Sequence, residues 1–343
     1  MAENEKNKIN VSVDLGTSNL LIYVEGRGTV FKEPSIIAID KASRKVVSVG
    51  YEAYELVGKV HDKVEVIKPL NGGVISDVDM IREILEFTFN KLFSKGTSSI
   101  NRLLICMPSE ITETEKQALI LLGKELGVEN TRIEEEIKAA AVGAGVNIYQ
   151  PFGNMIVDIG GGTTNFGVLS LGDVVLSKSI KVAGDYLDKQ IIHYVKEKHK
   201  LEIGTQTAEK IKVHLASLTG ELPTDEEGNM LTFNAMGRDL VTGLPRMSVV
   251  TAKEIRKVML DCFEAIKSAL IATLEVTPPE LSGDLVNNGI VVTGGGALIR
   301  GVREYLEEAS NVKVRIAPSP LTAVIDGTKQ LLKIDKEHYY GEY

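Results

Sequence analysis

The chain of 343 residues is long enough for about two domains and a large buried core. With 43% hydrophobic and 25% charged residues, it has the composition neither of a disordered chain nor of a collagen. Its 39 basic against 47 acidic residues, net −8, with no arginine-rich stripe, argue against nucleic acid as a partner.

The N-terminal stretch MAENEKNKIN is polar and has no apolar segment of the kind a signal peptide needs. The first strand-like run follows and ends in an acid and a glycine turn: Val11-Ser12-Val13-Asp14-Leu15-Gly16-Thr17-Ser18-Asn19, then LLIYVEG. Strand, glycine-hydroxyl turn and strand describe a β-hairpin. A helix is predicted after Ser76-Asp77, where Met80-Ile81, Ile84-Leu85 and Leu92 recur at helical spacing. At its end Leu92-Phe93 stand between Lys91 and Lys95, and two readings are open. They close a core-facing stripe, or they form an apolar loop flanked by lysines that suits an anionic bilayer surface. Cys106 and Cys262, the only two cysteines, lie in apolar runs, which fits a reducing compartment and neither a disulfide framework nor a zinc site. Thr112-x-x-Glu115 is a capping box ahead of the next helix.

Near the middle the hairpin returns as Met155-Ile156-Val157-Asp158-Ile159-Gly160-Gly161-Gly162-Thr163-Thr164-Asn165, followed by FGVLSLG. Two such openings predict a duplicated α/β fold. Helical patterns follow in DYLDKQIIHYVKEKHK and TAEKIKVHLASL, and the polar run Thr219–Asn229 reads as a surface hairpin or loop. The β-branched run Ile290–Thr293 then feeds Gly294-Gly295-Gly296-Ala297 and a further helix, an arrangement that exposes backbone N–H groups to an anion or a flat ring. No run reaches the ~18 apolar residues of a membrane span. The expected protein is soluble and intracellular, or at most peripheral.

A single glycine cluster is weak evidence of a ligand. Three at strand ends, two with aspartate at the same offset, are stronger. Phosphate groups need N–H donors, hydroxyls and no obstructing Cβ, which Gly16, Thr17 and Ser18 and Gly160, Gly161, Gly162 and Thr163 supply. Asp14 and Asp158 offer the hard oxygens that Mg²⁺ takes, through its waters. Facing hairpins would clamp a nucleotide's phosphates between the halves. No G-x-x-x-x-G-K-[ST] motif occurs, which disfavours a P-loop enzyme.

These residues resemble the actin/heat-shock chaperone/sugar kinase superfamily, and within it the MreB family of bacterial actin homologues. The likeness runs through VDLGTSNLLIYVEGRGTVFKEPSIIAID, IKPLNGGVISD, ICMPSEITETEK, VDIGGGTTNFGVLSLG, TAEKIK, VTPPEL and VVTGGGALIRG. The resemblance implies an actin-like, two-lobed α/β fold (a duplicated ribonuclease H-like fold) with four subdomains: IA over 1–33, 70–144 and 328–343, IB over 34–69, IIA over 145–180 and 247–327, and IIB over 181–246. It implies ATP or ADP with Mg²⁺ in the central cleft. Asp14, Gly16, Thr17, Ser18 and Asn19 would form the first phosphate hairpin, and Asp158 and Gly160 through Thr164 the second. Gly294, Gly295, Gly296 and Ala297 would hold the adenosine, with Glu209 and Lys212 facing ribose and adenine. Gly184-Asp185 matches part of a further family segment.

Hydrolysis needs a group that orients or deprotonates water. The family carries a carboxylate at a helix start, in a pattern like I-E-E-P-M-A-A-A. Here Ile133-Glu134-Glu135-Glu136-Ile137-Lys138-Ala139-Ala140-Ala141 matches it, which puts Glu136 at the catalytic position with Thr163 as the water-orienting partner. An acidic helix start that merely favours the helix dipole is the plainer reading. Ile137-Lys138 replace Pro-Met, and Asn165 replaces a Glu. Losing the proline loosens the helix start and Lys138 brings a positive charge close to the carboxylate, so slow hydrolysis is expected. The implied function is a slow ATPase that polymerises into filaments with itself and with sister MreB-like proteins. The filaments would lie at the inner face of the cell membrane as a cytoskeleton for cell shape or cell-body movement. The family's amphipathic N-terminal helix has no counterpart in the short, charged stretch Ala2–Asn10, and the tail from Lys333 to Tyr343 is polar. A non-polymerising chaperone-type ATPase, a plasmid-segregating filament and a small-molecule kinase are the alternatives.

Overall fold

In a computed structural model, the structure describes residues 9–93, 100–108, 111–128 and 130–334. Two five-stranded sheets carry the same topology. In lobe I the strands run in the order Gly28–Pro34, Asn19–Val24, Ile9–Leu15, Ile100–Met107, Asn130–Glu135. In lobe II the order is Asp173–Ile180, Thr164–Ser170, Asn154–Ile159, Ile290–Thr293, Val314–Ile316. Each begins as an antiparallel meander of three strands and continues with two strands parallel to the meander's first. The duplication expected from the hairpins is therefore carried through all five strands. Central strands such as Thr164–Ser170 are buried at every position, as sheets covered on both faces require.

Helix starts follow their caps. Asp77 accepts from the Met80 N–H at the head of Val78–Leu92, and Thr112 with Glu115 forms a full capping box ahead of Glu113–Glu125. Thr251 and Glu254 repeat that device at Ala252–Glu275. Helix Thr205–Leu215 stops short of the expected Leu218, because Ser217 pairs in a bridge with Arg300 and the Leu218 N–H donates to the Arg300 carbonyl. Phe93 sits in the lobe I core with its ring 5.7 Å from Phe89, and Leu92 packs half-buried on the same cluster. The core-stripe reading describes this geometry. As a correction to the membrane-loop reading, Phe93 is already taken up by its own core. Residues 94–99, Lys95 among them, lie outside the described residues, as do residues 1–8 and 335–343 of the two termini.

Each lobe carries a small addition. In lobe I the strands Ile37–Asp40, Val46–Val49 and Val64–Ile67 form a three-stranded sheet over a core of their own around Ile36, Ala38 and Ala53. In lobe II the helices Gly184–His199 and Thr205–Leu215 accompany the sheet of Leu201–Glu202, Thr232–Asp239 and Pro245–Thr251.

Between the lobes lies a third core, shared by Leu104 and Cys106 of one sheet, Ile156, Leu169 and Val291 of the other, and the helices Glu136–Gly143 and Ala323–Leu331. Those two helices cross backbone to backbone. A Cβ on Gly143 would lie 1.8 Å from the Ala323 carbonyl oxygen, and one on Gly327 would lie 1.8 Å from that of Ala139. Only glycine permits this approach.

Candidate nucleotide cleft

The two hairpin tips meet. A Cβ on Gly161 would fall 1.9 Å from the Ser18 Oγ, and one on Gly162 would fall 2.6 Å from the Thr17 Oγ1. The first turn is braced by Ser35, whose Oγ donates to the Gly16 carbonyl at 2.6 Å and whose N–H donates to Ser18 at 2.9 Å. The second is closed by the Gly160 N–H on the Thr163 carbonyl at 2.9 Å. Beneath it, the N–H groups of Gly184 and Asp185 donate to the carbonyls of Gly160 and Gly161. Gly73, which the motif reading had left without a role, donates its N–H to the Thr17 Oγ1 at 3.3 Å and leaves no room for a Cβ against Thr163.

Strand register brings three carboxylates to the same crevice, at the carboxyl ends of parallel strands where α/β sheets bind ligands. Asp14 stands opposite Cys106, Asp158 opposite Thr293, and Glu136 begins the helix that follows strand Asn130–Glu135. All three are buried. Burial first, then the Asp158 charge, pushes Asp14 up to about 8. Glu136 lies well above the ordinary carboxyl range, through burial and then the charges of Asp14 and Asp158. Asp158 is raised by burial, against the hydrogen bond it accepts from the Thr293 Oγ1 at 2.8 Å. Three acids that disfavour one another's ionisation make a place for a cation. Among the described residues no three His, Cys, Asp or Glu side chains are grouped to hold a bare metal ion. The donor set therefore fits a hard, hydrated cation whose remaining ligands are water and phosphate oxygens.

Thr163 is buried, and the Asn165 amide donates to its Oγ1 at 3.4 Å while accepting from the Ser179 Oγ at 2.7 Å. Asn165, noted in the sequence only as a departure, orients the threonine. Lys138 behaves differently from the expectation. Its ammonium is directed to Glu134 and Asp173, each at 3.7 Å, and the charges that set Glu136 are Asp14 and Asp158. The expected influence of this cation on Glu136 is thus corrected: burial and the two aspartates set that acid.

The remaining candidates spread along the cleft. Gly294 (φ 81°) and Gly296 press on Asp158 and Ile159, while Gly295 meets only Leu321 at 3.6 Å. The glycines open a short 3₁₀ turn, Gly295–Leu298, and the longer helix waits until Val302. That helix is the expected GVREYLEEAS segment, with the left-handed Gly301 as its N-cap, so its first N–H groups are separate from the Gly294–Gly296 turn. Lys212 donates to the Gly184 carbonyl at 3.2 Å and to Asp188 at 2.9 Å. Asp188 was not foreseen; it is buried, its other oxygen makes no hydrogen bond among the described residues, and burial raises it to about 6 against the pull of Lys212. Glu209 accepts a hydrogen bond from the Tyr54 hydroxyl, and Gln206 donates to the Tyr54 carbonyl at 2.6 Å. Lys68 pairs with Asp185 at 3.3 Å. All three contacts join lobe I to lobe II.

Residues 8–339 match the family model of the MreB/Mbl protein. The cell shape-determining protein Mbl of Bacillus subtilis is 44% identical over 322 residues, covering 94% of this chain and 95% of that protein. The crystal structure of MreB5 of Spiroplasma citri bound to AMPPNP superposes with a TM-score of 0.88 at 41% identity, covering 94% of this chain and 96% of that one. Its ADP-bound form gives 0.89 at 40%, covering 95% and 96%.

Proposed function

Since the chain belongs to the MreB/Mbl family, we propose that it is an ATP-binding bacterial actin that hydrolyses ATP slowly and assembles into filaments which determine cell shape or move the cell body. The observation that carries this is the meeting of the hairpin tips over three buried carboxylates. Gly16, Thr17, Ser18 and Asn19 and Gly160 through Thr164 cradle the phosphates. Glu209 and Lys212 face the ribose and base, and Gly294, Gly295, Gly296 and Ala297 line the adenosine side. Asp14 and Asp158 would hold Mg²⁺ through water, and the ion would supply charge neutralisation along the phosphates. Glu136 accepts the proton of the attacking water in its ionised form, which a cation beside Asp14 and Asp158 would favour by offsetting the two charges that hold the acid protonated. Thr163, held by Asn165, orients that water.

The four subdomains follow the boundaries given above. Filaments of this chain and sister MreB-like proteins would lie at the inner face of the cell membrane. Among the described residues no helix is long and apolar enough to cross a membrane, so attachment would be peripheral.

Electron microscopy and phosphate release with ATP test the reading. Wild-type protein is expected to form filaments and release phosphate without an acceptor. Glu136→Ala should lower the rate about a hundredfold, with nucleotide binding intact. Failure to bind adenine nucleotide, or an unchanged rate in that variant, overturns the assignment.

A further inference from the structure

The helix start that carries Glu136 lacks the proline that would fix its first dihedral angle. The sequence there is Glu136-Ile137-Lys138, and both residues after the acid dock onto lobe II. Ile137 packs on Gly167, where a Cβ would come within 2.5 Å of its Cγ1. Lys138 reaches the wall of a cavity of about 500 Å³ that also includes Lys116, Arg132, Glu134 and Asp173.

A lysine in the first turn of a helix carries the same sign as the helix N-terminus, and a buried ammonium is costly unless paired. Lys138 is only 6% exposed, so its partners hold it in place. Its ammonium lies 3.7 Å from Glu134, at the end of a lobe I strand, and 3.7 Å from Asp173, in lobe II. Asp173 faces Ser170 across the far turn of the hairpin whose near end is Thr163. On the lobe I side, Glu134 is 3.7 Å from Arg132, which donates to the carbonyls of Leu331 and Ile334 at 2.7 and 2.9 Å. A line of charge thus ties both interlobe helices to the lobe II hairpin.

We propose that Lys138, bridging Glu134 of one lobe and Asp173 of the other, is a positioning residue that fixes Glu136 relative to Thr163. The bridge does the work of the missing proline by a tertiary contact. This role rests on the reading of Glu136 as the hydrolytic base.

The test uses the full chain and measures kcat and KM for ATP-dependent phosphate release, affinity for a fluorescent ADP, and melting temperature. Lys138→Met is expected to lower kcat about tenfold while KM and nucleotide affinity stay within about twofold. Lys138→Arg should restore most of the rate. Asp173→Asn, at a side chain 76% exposed that the fold tolerates, should lower kcat too, and the double variant should be no slower than Lys138→Met alone. An unchanged kcat in Lys138→Met or Asp173→Asn, an arginine variant as slow as the methionine one, or a loss matched by weaker nucleotide binding overturns the proposal. If wild-type protein is active and Glu136→Ala is not, such a result removes the bridge alone. If wild-type protein releases no phosphate, the reading of the site fails and the positioning role with it.

Discussion

Asp14 shows how a single side chain links the cleft to the stability of the protein. Its carboxyl is raised to about 8, against about 4 in an unfolded chain. Below pH ~4 both states hold the proton and the group is neutral in the balance. As pH rises from there, the unfolded chain releases the proton while the folded one retains it. Stability therefore falls until the folded carboxyl ionises near 8 and is level above that. Metal- and nucleotide-free protein should melt at a lower temperature at pH 8 than at pH 5, and Asp14→Asn should flatten that slope and raise the melting temperature at pH 8. Circular dichroism melts at a series of pH values decide it; a slope that survives the substitution assigns the effect elsewhere. Asp14 and Asp158 were legible in the sequence because aspartate, glycine and hydroxyl residues at a strand end are a local signal. The cross-lobe half of the Lys138 bridge was not, since Asp173 belongs to the other lobe; its second partner, Glu134, stands four residues before it.

At the level of elements, the crossing of helices Glu136–Gly143 and Ala323–Leu331 depends on two glycines. Gly143→Val drives its side chain into the Ala323 carbonyl, and overpacking of this kind costs about 3 kcal/mol or more. The melting temperature should drop by roughly 6 °C or more, and phosphate release should fall with it because Glu136 rides on the same helix. Gly283→Ala is the control. It sits in helix Pro279–Asn288 with open space around it, and alanine there should be stabilising by about 0.5–1 kcal/mol. Equal effects at the two positions would mean that the crossing is not tightly packed. Helices with caps, such as those after Asp77 and Thr112, could be read from the chain; the glycine crossing could not, because it joins segments far apart in sequence. Periodicity at Leu92-Phe93 was compatible with two roles, and packing on Phe89 separates them.

Across the whole molecule, the lobes touch again at the outer side of the cleft, where the Tyr54 hydroxyl donates to Glu209, 155 residues away. On the proposed reading, with the nucleotide between the lobes, its release would part this contact. Tyr54→Phe removes the hydrogen bond and little else, and is expected to speed release of a fluorescent ADP about fivefold, the equivalent of ~1 kcal/mol. A chase with unlabelled nucleotide measures it, and an unaltered release rate would place the opening elsewhere. Duplication and the two hairpins made the lobes visible in the sequence, whereas contacts between lobes left no local trace. The helix crossing has one more consequence. With no side chain between them the two helices have no slack, so the acid that begins helix Glu136–Gly143 is kept in register with helix Ala323–Leu331, and any atom added at the joint is passed on to it.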